Sequence, residues 1–187
     1  MATVAARIPA SKLFQNLVVV YLANLVGAAG LAGLVALSGY WKIGGFVVGK
    51  AALSIAAAKC ALPFGEAFFR GVLCNVLVCL AVWIAMAGRN VTDKILAIIF
   101  PITAFVACGF EHSVANMYFI PLGILLRDEA LAAGTVTVGA LNWSGFLKNL
   151  APVTLGNLVG GAGMVGLVYW LIYRRGTKAA TPGAGQR

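Results

Sequence analysis

Apolar residues along this chain seldom alternate with polar ones; they run on. Four runs reach the roughly 20 residues that a helix needs to cross a bilayer: Leu13 to Leu37, Phe64 to Ala87, Ile95 to Leu126 and Leu150 to Tyr173. Lipid cannot satisfy backbone amides and no period-2 alternation marks a barrel strand, so each run is read as a helix. A fifth stretch, Ile43 to Leu62, is apolar but carries Lys50 and Lys59. It is read as an interfacial or partly buried helix and not as a crossing one. After Tyr173 the sequence RRGTKAATPGAGQR turns polar and rich in Gly and Pro. The expected organisation is a transmembrane domain over residues 1–173 and a disordered tail over 174–187.

The third run differs from the others. It covers 32 residues, contains Pro101 and Pro121, and holds Gly109-Phe110-Glu111-His112 in its middle. A straight helix of that length overshoots the membrane, so a break near Gly109 is expected, as in transporters whose interrupted helices line a site at the midplane. The segment Asn24-Leu25-Val26-Gly27-Ala28-Ala29-Gly30 of the first run recurs as Asn157-Leu158-Val159-Gly160-Gly161-Ala162-Gly163 in the last. The recurrence is read as an internal repeat. Were the repeat unit three helices long, the two copies would cross in opposite senses, as in inverted-repeat transporters; glycine-rich helix packing is the competing explanation.

Composition supports the membrane reading: 61% of the 187 residues are hydrophobic and 10% charged, with a formal net charge of +9 and a mean hydropathy of +0.96. The basic residues form no stripe for nucleic acid and gather at the ends of apolar runs, which points to lipid headgroups. Arg7 and Lys12, Arg89 and Lys94, and Arg174, Arg175, Lys178 and Arg187 all fall on one side, read as cytoplasmic, which places both termini there. The longer opposite loops spread Lys42, Lys50, Lys59, Arg127 and Lys148. Nothing at the start reads as a removable signal peptide. Cys60, Cys74, Cys79 and Cys108 form no C-x-x-C pair and are read as packing residues.

Candidate chemistry centres on His112, the only histidine. Beside Glu111 in an apolar run, it is expensive to bury unless it serves a cavity or a partner. A neutral imidazole there can donate a hydrogen bond or lend a proton to a passing weak-acid anion. Asn75, mid-run in the second helix, is its natural companion or a helix-to-helix hydrogen-bond donor. Asn116 follows His112 by four residues; Phe105 and Phe119 flank it at seven, a spacing that would stack aromatics on either side. A bis-histidine haem needs a second His, and no nucleophile pairs with Glu111 or His112, so neither a cofactor, a metal nor an enzyme is expected.

Three segments then carry a resemblance. Gly109 to Pro121 (GFEHSVANMYFIP) is similar to the signature in the fifth helix of the formate/nitrite transporter family. Arg70 to Trp83 (RGVLCNVLVCLAVW) resembles its fourth helix, and Thr154-Leu155-Gly156-Asn157 its sixth. The resemblance implies an all-α membrane protein whose four transmembrane helices correspond to helices three to six of the aquaporin-like inverted-repeat fold. It implies that the family's first two helices and the loop with a pore threonine are not in this sequence, through a misplaced start, a truncated gene or a separate chain that supplies them; the repeat, whose first copy lacks two partner helices, predicts about two more apolar spans encoded upstream of Met1. It further implies transport of small monovalent anions, formate foremost, with nitrite, hydrosulfide or a non-transporting membrane subunit as alternatives. The same resemblance implies a homopentamer in a prokaryotic-type inner membrane. Carried over by residue, His112 is the central pore residue with Asn75 beside it, and Phe105 and Val78 belong to the constriction. Glu111, Lys59, Asn116 and Asn157 form a supporting polar network.

Overall fold

The computed structural model describes residues 9–132 and 139–177, all of whose regular structure is helical. Helix α1 (Ala10–Leu37) starts behind Pro9, whose fixed φ suits a helix entry. A short 3-10 turn, Tyr40–Lys42, leads into α2 (Ile43–Ala61). Gly44, Gly45 and Phe46 have φ of 66°, 66° and 74°, so the regular part of α2 begins only after this left-handed turn. Phe46 is the one non-glycine residue there, and it is held edge-on against Trp41 with ring centroids 5.4 Å apart. Helix α3 (Phe64–Ala87) follows a two-residue link ending in Pro63.

The third apolar run is two helices, α4 (Val91–Ala107) and α5 (Ser113–Ala132), with the break at Gly109 where the sequence places it. Gly109 adopts φ 65°, the left-handed conformation that ends helices at low cost in glycine. Neither Pro101 nor Pro121 interrupts its helix. The start of α4 is set by a capping box: Asn90 accepts from the Asp93 amide, and the Asp93 carboxylate accepts from the amides of Asn90 and Arg89. Helix α6 (Trp143–Leu158) is capped by Asn142, which accepts from Gly145 N at 2.8 Å. It runs through a π-helical stretch, Val159–Leu167, into α7 (Val168–Thr177). That helix carries the chain to Thr177, inside the expected tail; residues 178–187 lie outside the described part.

The fifth apolar stretch folds as a helix, with its leading turn: Tyr40–Ala61 has the length and apolar composition of a candidate span. Its two lysines are accommodated separately: Lys50 is exposed, and Lys59 is paired with Glu111. Gly49, Leu53, Ala56 and Cys60 bury the remaining face.

The helices pack as two groups. In one, α1 and α2 lie against α5 around Ala32, Leu53, Ala56, Met117, Ile120 and Leu126. In the other, α3 packs on α4, α6 and the π-helical stretch. The α3–α6 joint is a backbone-to-backbone contact. A Cβ on Gly156 would run into Phe68 O and one on Gly160 into Val72 O, while one on Gly71 would lie 2.9 Å from Val153 O. Gly156 and Gly160 thus form the small-x3-small spacing that lets membrane helices approach closely. The groups meet where α5 touches α6, beside the break.

Candidate pore site

The break between α4 and α5 exposes backbone groups that no helix satisfies, and α6 supplies the partner. Asn157, 6% exposed, accepts from Ser113 N at 2.9 Å and donates to Glu111 O at 3.0 Å and Gly71 O at 2.9 Å. Glu111 N donates to Arg70 O at 3.3 Å. A buried side-chain amide thus clamps the α5 end of the interruption to α3, where an unpaired amide or carbonyl would cost about 1–3 kcal/mol. Since Arg70 and Gly71 are six to seven residues into α3, the break sits about 10 Å along that helix.

Glu111 itself is 3% exposed. Its carboxylate accepts from Lys59 Nζ at 2.7 Å, from Asn116 Nδ2 at 2.6 Å and from Asn149 Nδ2 at 3.4 Å. Asn116 donates its second N–H to Asn149 Oδ1 at 2.7 Å, and Asn149 donates to Lys59 O at 2.8 Å. Four elements, α2, the break, α5 and α6, therefore share one network in which the two charges cancel. Lys59, Glu111 and Asn116 come together as the resemblance implies, and Asn157 closes the neighbouring shell. Asn149 is the member that the sequence reading missed. It lies one residue before the Leu150 boundary of the fourth run, yet α6 places it eight residues before Asn157 on the same helix face.

His112 caps α5. Its Nδ1 accepts a long hydrogen bond, 3.3 Å, from Ala115 N, and its backbone O accepts from Asn116 N at 2.9 Å. An acceptor at Nδ1 puts the proton of the neutral ring on Nε2. Nε2 makes no hydrogen bond among the described residues, so a donor is left for a guest. Phe105 lies beside the imidazole, ring centroids 6.1 Å apart and planes 29° apart.

Other candidates lie elsewhere. Asn75 is not bonded to His112; it donates to Asn157 O at 2.8 Å, the helix-to-helix role. Phe119 meets Tyr118 edge-on at 5.3 Å and lies 6.0 Å below Lys59 Nζ, so the symmetric aromatic pair around His112 does not form. Val78 lines a cavity of about 390 Å³ between α3 and α4, with Ala81, Val82, Lys94, Ile98 and Ile102. Among the described residues no three His, Cys, Asp or Glu side chains are grouped to hold a metal ion.

Apolar helices of crossing length, one helix broken at a glycine and a neutralised polar network at the break define an integral membrane protein built around an interrupted helix. The chain belongs to the formate/nitrite transporter family, whose profile, "Formate/nitrite transporter", matches residues 1–171. It is 42% identical over 183 residues to the formate channel FocA of Escherichia coli (strain K12), covering 94% of this chain and 64% of that protein. To a protein described as a probable formate transporter of Methanothermobacter thermautotrophicus it is 45% identical over 175 residues, covering 86% and 60%. A solved structure titled "Pentameric formate channel with formate bound" superposes with a TM-score of 0.80 at 38% identity, covering 87% of this chain and 67% of that one. The chain spans 60 to 64% of the length of these two curated relatives. The expected fold class, four helices like helices three to six of this family with the third one broken near Gly109, is borne out.

Proposed function

We propose that this chain forms part of a pore for small monovalent anions, formate foremost, with His112 as the polar group the anion meets between apolar walls. The observation that carries the reading is the free Nε2 donor of His112, set beside Phe105 at a helix break where Ser113 N and Glu111 O are held by Asn157 and the Glu111 carboxylate by Lys59, Asn116 and Asn149. An anion is expensive in an apolar constriction, and a hydrogen bond or a proton at that point lowers the cost. Cancellation of Glu111 by Lys59 keeps a carboxylate near the path from repelling the guest. Relatives named as formate channels and a neighbour titled with bound formate support formate over nitrite. The same neighbour supports assembly as a homopentamer, and the basic residues gathered at the ends of the apolar runs support a cell membrane with both termini on the cytoplasmic side.

The test is flux of labelled formate in proteoliposomes across a pH series. His112→Asn keeps a hydrogen-bonding group of similar size but cannot take up a proton. Import is expected to fall roughly tenfold, equivalent to about 1.4 kcal/mol, with a flattened pH profile. Phe105→Ala is expected to raise flux with the profile unchanged. Superimposable pH profiles for wild type and His112→Asn at equal expression would reduce His112 to a helix cap.

A further inference from the structure

The cavity between α3 and α4 has a direction. Along α4, Lys94, Ile98, Ile102 and Phe105 follow one another at four, four and three residues, which places them on a single helix face. Phe105 ends that row against His112. Lys94 begins it at the α3–α4 loop, exposed, while the walls between, Val78 and Ala81 of α3 with Ile98 and Ile102 of α4, are apolar. An apolar passage lined from Lys94 to Ile102 thus carries one cation at its outer end, and the same face of α4 continues past its inner end to Phe105 and the imidazole beside it.

We propose that Lys94 is the residue that recruits a small anion into this passage from the side of the α3–α4 loop. The proposal rests on the pore reading of His112. Three observations support it. Lys94 forms no ion pair among the described residues, whereas Lys59 and Arg70 do. Its sequence neighbour Asp93, the nearest candidate to neutralise it, is turned back onto the amides of Arg89 and Asn90. Gly88 leaves room for its stem: a Cβ there would lie 3.1 Å from Lys94 Cγ, so a glycine in the loop lets the lysine lie along the cavity mouth. A compact ammonium held in this way is a point charge suited to a monovalent anion.

Attraction at an exposed site raises the local concentration of the anion without altering the later passage. Lys94 therefore governs the half-saturating concentration and leaves the maximal flux alone, and salt screens its effect. The experiment measures concentration-dependent formate flux in proteoliposomes for wild type, Lys94→Met, Lys94→Glu and Lys94→Arg. At about 0.01 M salt, where the screening length is about 30 Å, half-saturation is expected to rise about threefold in Lys94→Met and about tenfold in Lys94→Glu. Lys94→Arg is expected to match wild type. At about 1 M salt, with a screening length of about 3 Å, the four proteins converge. Lys94→Gln takes the place of Lys94→Met where the latter misassembles. Wild-type half-saturation in Lys94→Met or Lys94→Gln at low salt, or an effect of equal size at both salts, overturns the role of Lys94 while His112 stands. Absence of formate flux in the wild type itself overturns the pore reading, and the recruitment role with it.

Discussion

Lys59→Met is expected to destabilise the folded protein by about 3–5 kcal/mol, the cost of leaving a buried carboxylate without its cation. Methionine keeps the length and apolar body of the lysine stem, so the change is close to the removal of one charge. Glu111 then stays 3% exposed with only Asn116 and Asn149 to hold it. Its alternative is to take up a proton, which leaves two amide donors facing a carboxylic acid with one fewer acceptor site. Lys59→Met combined with Glu111→Gln is expected to recover most of the loss, because a neutral amide can still accept from Asn116 and Asn149. Thermal unfolding in mild detergent, read by the loss of monodisperse protein, checks the cycle. A double variant as unstable as Lys59→Met alone would show that the lysine acts through packing along α2 and not through charge.

The network behind this prediction was legible in the sequence only in part. A 32-residue apolar run with a carboxylate and an imidazole at its centre cannot be one straight membrane helix, so the break at Gly109 followed from length and polarity alone. The partnership of Lys59 with Glu111 did not. The residues are 52 apart and lie on different elements, and it was the family resemblance that linked them. Asn149 fell outside because α6 starts at Trp143, before the hydropathy of the run rises. The aromatic pair around His112 fails for a geometric reason. Seven-residue spacing means a shared face only within a continuous helix, and Gly109 resets the register between Phe105 and His112. Those two rings meet across the left-handed turn of the break. Phe119, about 10 Å further along α5, cannot reach the imidazole at the start of that helix.

The repeated heptapeptide yields the second large effect. Gly160 and Gly27 occupy the same place in the two copies, yet their surroundings differ. A Cβ on Gly160 meets Val72 O of α3, whereas one on Gly27 meets nothing within 4 Å. Gly160→Ala is therefore expected to push the π-helical stretch and the adjoining end of α6 off α3 and cost about 1–3 kcal/mol, beyond what alanine returns through its better helix propensity. Displacement of α6 also strains the clamp of Asn157 on Gly71 and Glu111, so the loss should be accompanied by reduced formate flux. Gly27→Ala in this 187-residue chain is expected to be neutral or stabilising by up to about 1 kcal/mol. The asparagines that open the two copies show the same contrast: Asn157 spans three elements, while among the described residues the Asn24 side chain donates only to Val20 O in its own helix. Unfolding of both single variants in the same detergent provides the comparison. An equal loss at both positions would mean that the face of α1 around Gly27 is covered as tightly as the α3–α6 joint; a loss confined to Gly160 assigns the close contact to that joint alone.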